Sequence, residues 1–247
     1  MTNSAQTSVL ITGGNKGLGF ETARRLGEMD WTIFLGSRDE GRGQAAADKL
    51  TAAGANVIMV PLDVTSDESV ADAVQLVRKH TDRLDVLINN AGAPGRVIPP
   101  ADATADELHS VYDTNVYGPV RVTHAFLPLL QEAENPRVVM VSSAAGSFAV
   151  VADPHQPASK MHELAYSSSK TALNMITVRY ANALPTIKFN MVTPGEVANH
   201  KFAATDMNHH TGQLTAAEGS DPIVELATID AEGPTGIFID RLGPVAW

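Results

Sequence analysis

The sequence predicts an α/β protein built on a doubly wound parallel sheet with helices on both faces. Three observations carry this. Short apolar runs alternate with longer helical patterns along the whole chain. The first run empties into a glycine-rich turn that leads straight into a helix. The 247 residues suffice for one large, well-buried domain.

The elements follow in order. Residues 9–11 form a first buried strand and 18–26 the first helix. Residues 31–35 read as strand two, 39–53 as a helix closed by Gly54, and 57–60 as strand three. A helix over 67–79 precedes strand four, 84–88, which ends in Asn89-Asn90-Ala91-Gly92. A long helical pattern covers 108–130, and strand five, 138–141, ends in Ser142-Ser143. Helix 166–184, strand 189–192, helix 216–227 and a last strand after Gly233-Pro234-Thr235-Gly236 complete the chain. There are no repeats, low-complexity tracts or linkers, so residues 1–247 read as one domain.

Composition narrows the function. Hydrophobic residues are 44% and charged residues 19%, a globular balance. A net charge of −10 argues against a sequence-independent grip on nucleic acid. With no cysteine, disulfides, thiolate metal sites and a cysteine nucleophile are excluded. No apolar run is long enough to span a bilayer, and residues 1–7 are polar, without a signal-peptide core. The expectation is a soluble cytoplasmic protein with no membrane partner.

Residues 8–20 are the stretch around which the chemistry is arranged. Strand, glycine turn and helix N-terminus together make an anion site suited to a dinucleotide pyrophosphate. Thr12, Gly13, Asn15, Lys16, Gly17, Leu18 and Gly19 are the candidate cofactor contacts. Gly13 permits the tight turn, Gly17 lets backbone approach the phosphates, and Gly19 lets helix and strand pack closely. The end of strand two meets the adenosine ribose in such sites. Ser37 and Arg38 stand there, and a guanidinium suits a 2′-phosphate. With Lys16 they favour NADP over NAD, although each cation also reads plainly as a solvated surface charge. Asp39, one residue on, can cap the next helix. Asp63 and Val64, after strand three, are candidates for the adenine end, and Asp63 reads equally as a loop residue.

Thr12-Gly13-x-x-x-Gly17-x-Gly19 followed by Asn89-Asn90-Ala91-Gly92 resembles the short-chain dehydrogenase/reductase family. Asn115, Ser143, Tyr166-x-x-x-Lys170 and Pro194-Gly195 follow in the family's order, so the resemblance covers nearly the whole chain. Gly14-Asn15-Lys16-Gly17, Phe20-Glu21 and the tail ending in Trp247 resemble its carbonyl-reductase-like branch. The resemblance implies a single Rossmann-type domain. It also implies cofactor contacts from Asn90, Ala91 and Gly92, from Tyr166 and Lys170, and from Pro194, Gly195 and the backbone of Val197. Family members often carry a threonine four residues past the Pro-Gly glycine. Here Asn199 stands there, and the nearest threonine, Thr205, lies ten past it. The segment 196–201 therefore reads as lengthened, and Thr205 is the candidate for the displaced role.

The chemistry follows from the residues. Tyr166 and Lys170 lie four apart, on one helix face. A nearby ammonium lowers a phenol pKa from about 10 and readies it for proton exchange with a carbonyl or alcohol oxygen. Ser143 would hydrogen-bond that oxygen as charge develops, with Ser142 as its rival. By resemblance, Lys170 also binds the nicotinamide ribose and Asn115 holds a water in a relay toward Lys170. Asn115 also reads as a polar residue at a helix kink.

Residues 94–103, 144–164 and 196–214 follow carboxyl ends of strands, where ligands bind in open α/β sheets. Phe148, Val150, Val151, Met161 and Phe202 suggest an apolar pocket. Several histidines occur there, but none with zincin spacing, so no metal site is expected. The expected activity is NADPH-dependent reduction of a bulky carbonyl compound to an alcohol, with aromatic polyketide ketones as the candidate substrates. The alternatives are an alcohol dehydrogenase working oxidatively and an NADP-sensing regulator on the same fold. The helical patterns 108–130 and 166–184 would face partner subunits in a homo-oligomer, a dimer or tetramer.

Overall fold

The computed structural model describes residues 6–247, so the first five residues of the polar leader lie outside it. β1 (Ser8–Ile11), β2 (Thr32–Ser37), β3 (Asn56–Pro61), β4 (Val86–Asn89), β5 (Arg137–Val141) and β6 (Lys188–Val192) are the parallel strands of the central sheet. With β9 (Phe238–Asp240) and β10 (Gly243–Pro244), the sheet runs in the order β10-β9-β6-β5-β4-β1-β2-β3. The order reverses between β1 and β4, which opens a crevice at their carboxyl ends. The expected all-parallel sheet needs one correction: β10 returns antiparallel on β9. A tight turn at Arg241-Leu242 makes that return, with Asp240 Oδ1 accepting the Leu242 N–H at 2.7 Å.

The strands alternate between two cores, as a sheet buried on both faces requires. Leu10, Phe34, Leu87, Val138 and Phe189 face one core, with α3 (Asp67–Arg78), α5 (Gly118–Gln131) and α7 (Leu164–Ala183) packed over it. Val9, Ile11, Ile33, Val86, Ile88 and Val139 face the other, under α1 (Gly17–Gly27), α2 (Glu40–Ala52) and α8 (Ala216–Ala227).

The expected long helix over 108–130 is instead two helices, α4 (Ala105–Tyr112) and α5, joined by a π turn over Asp113–Tyr117. Asn115 sits in that turn, fully buried. The 144–164 segment is not a plain loop either. A 3₁₀ turn (Ala144–Gly146), α6 (Phe148–Ala152) and a second 3₁₀ turn (Pro157–Lys160) shape it. The C-terminal tail holds it down: the Ser147 hydroxyl donates to Ala246 O at 2.7 Å, and the Ala149 N–H to Trp247 O at 2.8 Å. The 196–201 stretch is a hairpin, in which β7 (Gly195–Glu196) pairs antiparallel with β8 (Lys201–Phe202). The chain then rejoins its starting point, since the Ala203 N–H donates to Pro194 O at 3.0 Å.

Candidate active site

The glycine turn is locked to the end of β4. Thr12 Oγ1 accepts the backbone N–H groups of Asn90 and Ala91 at 3.0 and 2.9 Å. The Asn90 amide in turn donates to Thr12 O and Gly13 O at 2.9 and 3.1 Å. Gly13 and Gly17 both sit at positive φ, +64° and +54°, where glycine carries little strain. At Gly19 a Cβ would fall 2.5 Å from Asn90 Nδ2 and from Gly13 O, so only glycine lets α1 start this close.

Helix N-termini here divide into two kinds. Asp39, Ser66, Thr104 and Thr215 each accept a backbone N–H at the start of α2, α3, α4 and α8. Like α7, α1 has no side-chain cap and no acid in its first turn, with Lys16 at its N-cap position. Its N–H groups and dipole are left for an anion. A Cβ built on Gly17 meets no described atom within 4 Å, so the room is there too.

At the end of β2, Ser37 is buried and its hydroxyl donates to Asp39 O at 2.8 Å, so it is committed to the turn. Asp39 caps α2 through the Arg42 N–H at 2.9 Å and pairs with the Arg42 guanidinium at 3.2 Å. Arg38 is exposed and makes no ion pair among the described residues. Lys16 is paired instead, with Asp206 of the 196–214 segment at 2.5 Å. Arg42, four residues past Arg38 in the first turn of α2, was missed in the sequence. With Asn15, Lys16, Phe20 and Lys49 it lines a hollow of about 380 Å³ beside the turn. Asp63 accepts the Thr65 N–H and hydroxyl at 2.9 and 2.7 Å, and Val64 is buried under Gly118. Both hold the turn after β3, the loop role open to Asp63.

On the other side of the crevice, α7 presents Tyr166, Lys170 and Asn174 on one face, each a turn apart. Ser143 lies near enough to Tyr166 to pull the phenol pKa down, and its Oγ accepts the Ala145 N–H at 3.2 Å. Its rival Ser142 is committed elsewhere: its hydroxyl donates to Asn174 Oδ1 at 2.5 Å in the core. The Asn174 amide also reaches Gly146 O at 3.2 Å, clamping the turn after β5 onto α7. A Cβ at Gly146 would fall 2.7 Å from the Lys170 backbone, so glycine sets this approach. Asn174 and Gly146 escaped the sequence reading, though Asn174 continues the four-residue spacing.

The electrostatics are those of a dry site. Burial pushes the Tyr166 phenol up, the Ser143 hydrogen bond pulls it back, and the charge of Glu163 pushes it up further. Burial lowers Lys170 from 10.5 to about 8. Its ammonium donates to Val141 O at 2.8 Å and lies 5.7 Å from the Tyr166 ring centroid. The Tyr166 pKa thus lies above its ordinary value, against the lowering expected from the lysine, because desolvation outweighs the Ser143 hydrogen bond and Glu163 adds to it.

Asn115 is pinned by three hydrogen bonds: two with the Ala93 backbone at 2.8 and 2.9 Å, one to Ser169 Oγ at 3.0 Å. None of them reaches Lys170. Gly92 lies between them: a Cβ there would meet Asn115 Oδ1 at 3.5 Å, Met207 Cε at 3.5 Å and Lys170 Nζ at 3.7 Å.

Two further expectations are corrected. The Val197 N–H donates to Asp240 Oδ2 at 2.6 Å, so it is not free to hold a nicotinamide amide. Val150 belongs to the core, whereas Phe148, Val151, Met161 and Phe202 do show surface. The hairpin is anchored by charge. Glu196 accepts from Arg241 at 2.7 Å and Asn199 at 2.8 Å, and these bonds hold its carboxyl below the usual range. Arg241 reaches on to Asp221 at 2.7 Å, which meets Arg25 of α1 at 2.8 Å. Pro194 and Gly195 hold the hairpin's base, a Cβ at Gly195 falling 2.7 Å from Lys201 O. Because the hairpin closes at Ala203, Thr205 lies two residues past that closure. Its neighbour Asp206 touches the glycine turn.

Comparison with known proteins agrees with this geometry. The family model for short chain dehydrogenase matches residues 7–211. The chain is 29% identical to a (+)-neomenthol dehydrogenase of Capsicum annuum, over 94% of this chain and 95% of that one. The NADPH-bound carbonyl reductase from chicken fatty liver superposes with a TM-score of 0.84 at 28% identity, covering 98% of this chain and 99% of that one. Salutaridine reductase from Papaver somniferum gives 0.81 at 26% identity, over 94% and 99%. On the matched model and the shared fold, this chain belongs to the short-chain dehydrogenase family of oxidoreductases.

Proposed function

We propose that the protein reduces a carbonyl compound to an alcohol with NADPH, using Tyr166 as proton donor. The observation that carries this reading is the buried Lys170, held to Val141 O at 2.8 Å with its ammonium 5.7 Å from the Tyr166 ring centroid, opposite an uncapped helix N-terminus. A bound NADPH supplies the hydride for the carbonyl carbon. The chain's residues do the rest. Ser143 orients the substrate oxygen, and Tyr166 Oη gives it a proton as the alkoxide charge develops. Burial keeps the phenol protonated, as a donor in reduction must be. The Lys170 ammonium stabilises the phenolate left behind. Asn115, tied to Ala93 and Ser169, holds the π turn that lines this corner.

NADP is favoured over NAD because the end of β2 offers no free acid. Ser37 and Asp39 are both occupied locally, while the Arg38 guanidinium is available for a 2′-phosphate. Thr12, Gly13, Gly17 and Gly19 would carry the diphosphate, with Asn90, Ala91 and Gly92 beside the ribose. The likeness to a carbonyl reductase supports carbonyl chemistry, and the exposed Phe148, Met161 and Phe202 favour a bulky apolar ketone. A groove of about 570 Å³ on α5, lined by Val70, Val116, Tyr117, Val120 and Ile176, suits contact with a second subunit. No helix of the described residues is long and apolar enough to cross a membrane.

The test is NADPH oxidation against a panel running from small aldehydes to polycyclic ketones, with NADH in parallel. Turnover is expected with NADPH on bulky ketones. Preference for NADH would contradict the reading of Arg38. Tight NADPH binding with no turnover on any carbonyl would favour the sensing alternative.

A further inference from the structure

We propose that Glu163 is a substrate-recognition residue, whose carboxylate accepts a hydrogen bond from a hydroxyl or protonated amine carried by the carbonyl compound a few bonds from its carbonyl group. This deepens the reductase reading and rests on it.

Glu163 stands at the N-cap position of α7, and its carbonyl already accepts the Ser167 N–H at 3.1 Å. Tyr166 and Lys170 follow it at i+3 and i+7, so the acid opens the helix face that carries them. Asp39, in the same position on α2, spends its carboxylate on capping its own helix. Glu163 makes no such cap. Its carboxylate acts on Tyr166 instead, and its charge pushes the phenol up.

Glu163 Oε2 is buried and has no hydrogen-bond partner. Lys160 and His162, close by in the chain, are exposed and form no ion pair with it among the described residues. Thr22 Oγ1, Asn89 Oδ1 and Arg137 Nε are likewise buried and unpartnered among the described residues. None of those belongs to an acid, and the side chains of Asn89 and Arg137 are held through other atoms, by Thr123 and by Ile229 O. A buried acceptor gains from a donor, and a charged one gains most. A carbonyl compound held at Tyr166 comes within reach, since side chains three apart on a helix are separated by about 5–6 Å at their Cβ atoms. Met161 and Leu164, on either side of the acid in the chain, are exposed and offer apolar contact for the rest of the molecule. The substrate class that fits is an apolar ketone bearing one hydrogen-bond donor.

The experiment compares kcat/KM with NADPH for cyclohexanones and decalones that carry a methyl, a hydroxyl or a dimethylamino group at matched ring positions. The proteins are the wild type, Glu163→Gln and Glu163→Leu. The wild type is expected to prefer a donor-bearing ketone over its methyl counterpart by about ten- to hundredfold, the range of a hydrogen bond to a charged group. Glu163→Leu should bring that ratio close to one. Glu163→Gln tells the two donors apart, because its amide oxygen still accepts from a hydroxyl but offers an ammonium no charge. A preference for the hydroxyl should survive in it in part, and a preference for the amine should be lost. A wild type that handles the three substituents alike would overturn the role of Glu163, whatever the variants do. So would a preference that persists in Glu163→Leu. Failure of the wild type to reduce any carbonyl of the panel would instead overturn the reductase reading beneath it.

Discussion

The two walls of the crevice are held by different physics. The wall made by the glycine turn, β4, β5 and α7 is fixed by packing and buried hydrogen bonds. Gly19 against Gly13 O, Thr12 against Asn90, and Ser142 against Asn174 leave almost no freedom. The wall made by residues 195–214 hangs on ion pairs: Lys16 with Asp206, and Glu196 with Arg241, Asp221 and Arg25. On the proposed reading the chemistry sits on the first wall, where a misplacement of an ångström is costly. The ion pairs that hold the second wall lie near the surface, where charge pairs break cheaply.

The comparison can be broken hardest on the rigid wall. Tyr166→Phe removes the proton donor without disturbing the helix, and kcat should fall by about 10²- to 10⁴-fold with the melting temperature nearly unchanged. Gly19→Ala sets a methyl against a backbone carbonyl that cannot withdraw. It should cost about 1–3 kcal/mol of stability by denaturant titration, and weaken cofactor binding as α1 is pushed from the turn.

Lys170 gives a subtler test. Its pKa falls from 10.5 in the unfolded chain to about 8 in the folded one. Between those values the unfolded chain carries a proton that the folded chain has released, so stability rises with pH across this window. Lys170→Met should remove that rise, measured as the difference in urea midpoint between pH 7.5 and 10. Arg38→Ala should weaken NADPH by about tenfold and leave NADH unchanged, the loss of one charged contact.

The ion-paired wall should respond least in stability and most in substrate handling. Arg241→Gln unties Glu196 from Asp221. Proteolysis within 195–202 should quicken and KM for the carbonyl should rise several-fold, with kcat at saturation holding.

The same division explains what could be read in the sequence. The parallel strands, the glycine turn and the Tyr166–Lys170 pair were legible, because each is written in local spacing: apolar runs, glycines at fixed offsets, residues four apart. Asn174 and Arg42 were one further step along the same spacing. The hairpin at 195–202 was not legible. Its anchor is the pairing of Glu196 with Arg241, 45 residues away, and no local pattern announces it. Asp240 taking the Val197 N–H is of the same long-range kind. The π turn at Asn115 was legible in part: the sequence offered a polar residue at a helix kink, but the partners that satisfy its amide, Ala93 and Ser169, are distant in sequence.

The central claim is that this crevice moves a hydride to a carbonyl carbon while Tyr166 supplies the proton. The most direct measurement uses NADPH deuterated at the transferable position of the nicotinamide, with the best ketone of the panel, and reads the product by mass and NMR. The account predicts one deuterium on the new carbinol carbon with the wild type, and almost no labelled product with Tyr166→Phe. Equal labelling by the two proteins would contradict the role of Tyr166, and unlabelled alcohol would contradict the hydride transfer itself.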